Sequence, residues 1–160
     1  MKSLIKKIAA TITLASIATS AFATDEAFTS SMTLLAPIVI TETSALTFAN
    51  AVSGQASTVT SSASSANAAQ FTATGEASTA VTGSIVEANI TMTTGDGIGS
   101  TKQITVDSFT TGGDMDGSGA ATFDGSGNLS NLRVGATANV LAEDIAGAYT
   151  GTATFRLVYQ

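Results

Sequence analysis

The chain of 160 residues contains no cysteine, no histidine and no tryptophan. Without cysteine there is no disulfide and no thiolate nucleophile. Without histidine the common zinc sets and the Ser-His-Asp arrangement are out of reach. Most familiar hydrolase chemistry goes with them. Basic residues are also scarce, 6 against 12 acidic ones, for a formal net charge of −6. So acidic a surface repels nucleic acid and anionic lipid. The two tyrosines stand at 149 and 159, which leaves little aromatic surface for stacking on sugars. Proline occurs once, at 37. Past the first two dozen residues no run is apolar enough to cross a bilayer.

What is present begins with an address. Lys2, Lys6 and Lys7 precede an apolar stretch at 8–18, and Ala21-Phe22-Ala23 follows as a small-x-small site. This is the layout of a secretory signal peptide, cleaved after Ala23. The mature chain, 24–160, keeps all twelve acidic residues but only Lys102, Arg133 and Arg156 of the basic ones, a net charge of −9. The expected route is out through the inner membrane of a Gram-negative bacterium. A chain of this length can hold one core without covalent staples.

The mature chain is dominated by Thr, Ser, Gly and Val, with apolar residues alternating in short runs between Gly, Asp, Asn and Ser. That pattern predicts an all-β, immunoglobulin-like β-sandwich. In residues 26–36, Phe28, Met32 and Leu34 share one parity, and Pro37 interrupts the run; proline suits the start of a strand better than its middle. The segment therefore divides into an N-terminal extension strand, 24–36, and a domain, 37–160. Strands are expected at about 38–42, 68–74, 80–85, 89–94, 103–110, 120–123 and 132–141, with Leu46-Thr47-Phe48 opening a further element. Residues 53–69, rich in Ser, Ala and Thr, read as a loop with weak edge strands. At the C-terminus Tyr149, Gly151, Ala153, Phe155, Leu157 and Tyr159 fall at every second position, the period of a strand with one buried face.

Candidate chemistry is thin. Asp114, Asp116, Ser118 and Gly119 match the opening of a calcium loop, but the twelfth position is Gly125, which offers no carboxylate. Gly95-Asp96-Gly97-Ile98-Gly99 lacks the Lys-Ser/Thr of a phosphate loop and reads as a turn. Asp25-Glu26 and Glu143-Asp144 are adjacent pairs, which point to opposite faces of a strand and make poor acid/base dyads; they read as solvated turns or ends. No enzyme, metal or cofactor is expected.

Two segments resemble a family of bacterial secreted domains related to the subunits of chaperone–usher pili. Residues 36–50, A-P-I-V-I-T-E-T-S-A-L-T-F-A-N, match an opening of Pro, apolar-x-apolar, a polar stretch and Leu-x-Phe, with Ala49 where the family has Gly. Residues 123–159 match its close through Val134, Gly135, Gly147, Tyr149, Gly151 and Tyr159. Gly147 stands fourteenth from the end and Tyr159 is penultimate, as in pilus subunits. The resemblance implies a pilin-like fold and an extracellular filament subunit. Its partners would be identical or related subunits, a periplasmic chaperone and an outer-membrane usher, with no nucleic acid and no membrane insertion. It assigns Phe28, Met32 and Leu34 to a donated strand. Gly147, Tyr149, Gly151, Phe155, Leu157 and Tyr159 fall to the C-terminal strand that meets chaperone and groove. The rival expectation is that the N-terminal strand completes its own domain, giving a self-contained surface or adhesin module.

Overall fold

The computed structural model describes residues 25–160, so the signal peptide expected at 1–23 lies outside the described residues. The chain falls into two units, divided after Thr33. In the first, residues 25–33 form no strand, and Phe28 and Met32 are exposed. The strand expected over 26–36 is thus not formed. A lone extended segment without a partner edge has no ladder to hold it.

The second unit, Leu34–Gln160, is an all-β sandwich of two antiparallel sheets. Its strands are β1 (Val39–Ser44), β2 (Ser57–Ser61), β3 (Ala69–Thr74), β4 (Ala80–Ile85), β5 (Ile90–Thr93), β6 (Gln103–Gly113), β7 (Ala120–Thr122), β8 (Asn128–Val140) and β9 (Phe155–Tyr159). One 3-10 turn, Ser100–Lys102, precedes β6. The larger sheet runs β1-β3-β8-β6-β5, and β2 pairs with the second half of β8. The smaller sheet is β7-β4-β9.

Alternation explains most of these strands. β6 opens with Ile104 and Val106 buried and Gln103 and Thr105 exposed between them. β8 is the spine: its first half pairs with β3 and its second with β2, while β6 follows its other side. Gly-containing hairpins join several strands. In the one between β5 and β6, Gly95 and Gly97 take φ of 59° and 67°, and Lys102 reaches Asp96 at 2.7 Å. The turn expected there is what forms.

The small sheet covers only one half of the large one. Val81, Ala121, Phe123 and Leu157 pack on Ala73, Leu129 and Leu132, with Met115, and enclose the first apolar cluster. Phe71 and Phe155 stack across it at 4.8 Å. A second cluster, Ile104, Val106, Ala136, Ala138 and Val140, lies on the other half of β6 and β8. No strand of the small sheet contributes to it. Leu46, Phe48 and Tyr149, all outside strands, pack there instead.

Two expectations need correction. Leu46-Thr47-Phe48 opens no strand, although its side chains alternate inward as a strand's would. The long C-terminal strand is interrupted: only residues 155–159 pair with β4, while Thr150 makes an isolated bridge to Thr93 of β5. The chain thus touches one sheet and then moves to the other; the expected buried face holds at Tyr149 and from Phe155 on, while Gly151 and Ala153 between them are exposed.

Candidate functional site

Over the second cluster lies a cleft of about 640 Å³. Its floor is apolar: Val59, Met92, Ile104, Ala138 and Val140. One wall is residues 45–53 and the other residues 144–151. Both walls are main chain outside the named strands, with a turn at Ser53 and bends at Ala146 and Gly147.

The hydrogen bonding of the walls decides what the cleft can hold. Residues 45–51 are tied to the rest of the main chain through Thr47 N–H, which donates to the Asn67 carbonyl at 2.9 Å. Their other amides and carbonyls have no partner among the described residues. In the opposite wall Thr150 exchanges both of its main-chain bonds with Thr93, at 2.8 and 3.0 Å. Alternate residues in such a pairing turn their N–H and C=O to opposite sides. The groups of Tyr149 and Gly151 therefore face away from β5, towards the cleft, and they too are unpaired among the described residues. An apolar floor between main-chain edges with unpaired groups is a surface on which an extended segment could find hydrogen bonds.

The glycines of the wall allow this approach. A Cβ at Gly147 would run into the Thr94 hydroxyl, and one at Gly151 would sit 2.9 Å from the Thr91 carbonyl oxygen and 3.1 Å from Met92 Cγ. Tyr149 holds the wall from its other end: its hydroxyl donates to the Ile145 carbonyl at 2.9 Å and lies 3.1 Å from that of Thr101. Burial, and after it the negative charge of Asp144, push the Tyr149 phenol above its ordinary value.

Asp144 is buried, 3 % exposed. Its Oδ2 accepts the Leu141 amide at 2.8 Å, and Ser53 Oγ donates to its carbonyl at 2.7 Å, joining the two walls. Its Oδ1 is buried without a partner. The reading of Glu143-Asp144 as a solvated pair is therefore wrong for Asp144. The flanking Leu141 and Ile145 are themselves exposed, so the sequence around the pair carried no signal of this burial.

The C-terminal residues singled out from the sequence divide between two places. Gly147, Tyr149 and Gly151 line the cleft. Phe155, Leu157 and Tyr159 belong to the enclosed cluster. Tyr159 donates its hydroxyl proton to the Ala36 carbonyl at 2.7 Å and accepts the Glu76 amide at 2.7 Å. Phe28, Met32 and Leu34 are 90 %, 84 % and 79 % exposed. The acidic loop at 114–119 uses its carboxylates locally: Asp114 Oδ2 accepts the amides of Ser130 and Asn131, and Asp116 Oδ1 those of Ser118 and Ala120.

Residues 12–159 match the profile of a family described as a domain of unknown function (DUF4402). No curated protein and no solved structure matches the chain.

Proposed function

We propose that the chain, which belongs to the DUF4402 family of domains of unknown function, is a structural subunit of an extracellular pilus-type filament. Each copy accepts the N-terminal segment of a neighbour in its cleft. The observation that carries this reading is the pair of unpaired main-chain edges over the apolar cluster. A strand laid between them gains hydrogen bonds on both sides and covers the floor with its inward side chains.

The same chain carries a segment suited to the task. Residues 28–34 of an extended chain span roughly 20 Å. Phe28, Met32 and Leu34 are large, apolar and exposed. Burying each contributes about 1.5–3 kcal/mol. Donor and acceptor are different surfaces of one subunit, so the contact is head-to-tail and propagates into a filament. Before assembly the exposed edges require a chaperone, which the outer edge of β9, unpaired in the small sheet, would accommodate. An outer-membrane usher then exports the subunits.

The test is assembly. Met32→Asp and Leu34→Asp place carboxylates on the face that must enter an apolar cleft. Both positions are exposed, so the melting of the lone chain should move by no more than about 0.5 kcal/mol. Electron microscopy and size exclusion should show filaments lost. Filaments of normal length from the double variant would refute the reading.

A further inference from the structure

No strand of the small sheet reaches the second cluster, yet Ile104 and Val140 are only 7 % and 8 % exposed. The side chains packed over them from outside the strands are Leu46 and Phe48 of one wall and Tyr149 of the other. A segment from another copy therefore reaches this floor where one of those covers gives way. The two walls are held very differently. In one, Thr150 exchanges both main-chain bonds with Thr93, Ile145 N–H donates to the Thr101 carbonyl at 3.0 Å, and the Tyr149 hydroxyl is bonded as well. The other, residues 45–53, is a strap in the connection between β1 and β2. Thr47 N–H on the Asn67 carbonyl and Ser53 Oγ on that of Asp144 are its only hydrogen bonds among the described residues.

The sequence repeats one pattern around this cluster. Among residues 25–160 four stretches set a threonine between two large apolar residues: Ile90-Thr91-Met92, Ile104-Thr105-Val106, Leu46-Thr47-Phe48 and Met32-Thr33-Leu34. In the first three the threonine is exposed and the apolar pair packs in the second cluster; none of them contributes to the first. The fourth has the same form, and its Met32 and Leu34 are exposed. Phe28 has Glu26 and Ser30 two residues away on either side, so the N-terminal segment offers no other such pair. Resting on the strand-acceptor reading above, we propose that residues 45–53 are a movable strap. Its Leu46 and Phe48 hold the second cluster closed until Met32 and Leu34 of another copy take their places, and the strap then lies along the edge of the inserted segment. Two large apolar side chains replace two, so apolar burial is nearly balanced in the exchange. The net gain is the main-chain ladder that the inserted segment forms. Until then the strap keeps the floor out of water.

The acceptor for the test is the chain 24–160 carrying Met32→Asp and Leu34→Asp, which keeps the cleft but cannot donate. The donor is a labelled synthetic peptide of residues 24–36, and binding is read by fluorescence anisotropy. Leu46→Ala and Phe48→Ala, added in turn, should each tighten binding roughly 3- to 10-fold, because the resident side chain competes less well for the floor. Thr47 N–H and the Asn67 carbonyl oxygen lie 2.9 Å apart, which keeps the two Cα atoms within the roughly 7 Å that a disulfide spans. Thr47→Cys with Asn67→Cys, in a chain that has no other cysteine, should pin the strap when oxidised and weaken binding roughly 10-fold or more. A reductant should restore it. Equal binding by the oxidised and reduced chain, or weaker binding by Leu46→Ala and Phe48→Ala, overturns the strap and leaves the cleft as acceptor. No binding of the peptide to any of these chains overturns the acceptor reading as well.

Discussion

The two apolar clusters of the domain share strands β6 and β8 or lie beside them, yet they are covered in different ways. Around Phe123 and Leu132 a three-stranded sheet closes the core. Around Ile104 and Val140 the cover is two stretches of unpaired chain that leave a cleft between them. The difference lies in the main chain rather than in composition. β9 is long enough to pair with β4 over five residues and then the chain ends. The half that precedes it, from 146 to 153, meets β5 at one residue. One half of the sandwich is closed by a paired sheet, and the other by main chain with few hydrogen-bond partners among the described residues.

The comparison is broken most directly by truncating one large side chain in each half. Phe123→Ala should cost about 3–5 kcal/mol in denaturant unfolding of the lone chain. Met92→Ala, on the cleft floor, should cost well under that, since the space beside it is already open. In assembled protein the gap should narrow. Equal costs in the lone chain would mean that the second half is closed as well.

The two tyrosines give a finer version. Tyr159→Phe removes a donor from Ala36 and strands the Glu76 amide, which should cost about 1–3 kcal/mol. Tyr149→Phe removes a bond within an already loose wall and should cost about 0.5–1.5 kcal/mol. Thermal melts of the two variants side by side check the order.

The smallest effect expected is acid sensitivity. Asp116 is held below its ordinary value of 3.8 by the Ser118 hydroxyl and then by main-chain amides. Asp124 is lowered by the amide of Asn128 and then that of Ser126. Glu87 is lowered from 4.5 by the amide and hydroxyl of Thr154. A carboxylate depressed on folding contributes stability that is present above its unfolded value and is lost as pH falls through the folded one. Melting temperatures should therefore hold down to about pH 4.5 and decline below it. Asp124→Asn should flatten that decline, because the substituted loop has no carboxylate to protonate. A decline of the same slope in the variant would assign acid sensitivity elsewhere.

Much of this was legible in the sequence, for a simple reason. Period two survives whether or not a strand finds a partner, so Phe155, Leu157 and Tyr159 could be placed inside from their spacing alone. β3, β4 and β5 lie within one or two residues of where alternation put them. What alternation cannot reveal is pairing. Residues 46–48 alternate as a strand would, and the structure leaves them without a ladder. The sheet change between Thr150 and Phe155 is a choice of partner, invisible in the pattern of either stretch. β2, Ser57–Ser61, falls in the stretch read as a loop with weak edge strands, but its bounds were not legible: its residues are mostly small and polar, and its place is set by the second half of β8. Asp144 escaped notice because an acidic pair in a turn is ordinarily solvated, and one of its partners, Ser53, lies 91 residues away in sequence.

The fastening of Ala36 by Tyr159 acquires a mechanical meaning if the N-terminal segment is held by another subunit. Tension applied to that segment arrives at Ala36, one residue before Pro37, and meets the Tyr159 hydroxyl there, along with the Glu76 carboxylate on the Ala36 amide. Tyr159 is rooted in the enclosed cluster beside Phe123, with ring centroids 6.1 Å apart. The pull is passed sideways into the stiff half of the sandwich before it can peel β1 from β3. The last strand of the chain thus acts as a strain relief, of the kind that keeps a cable from being torn out at its socket.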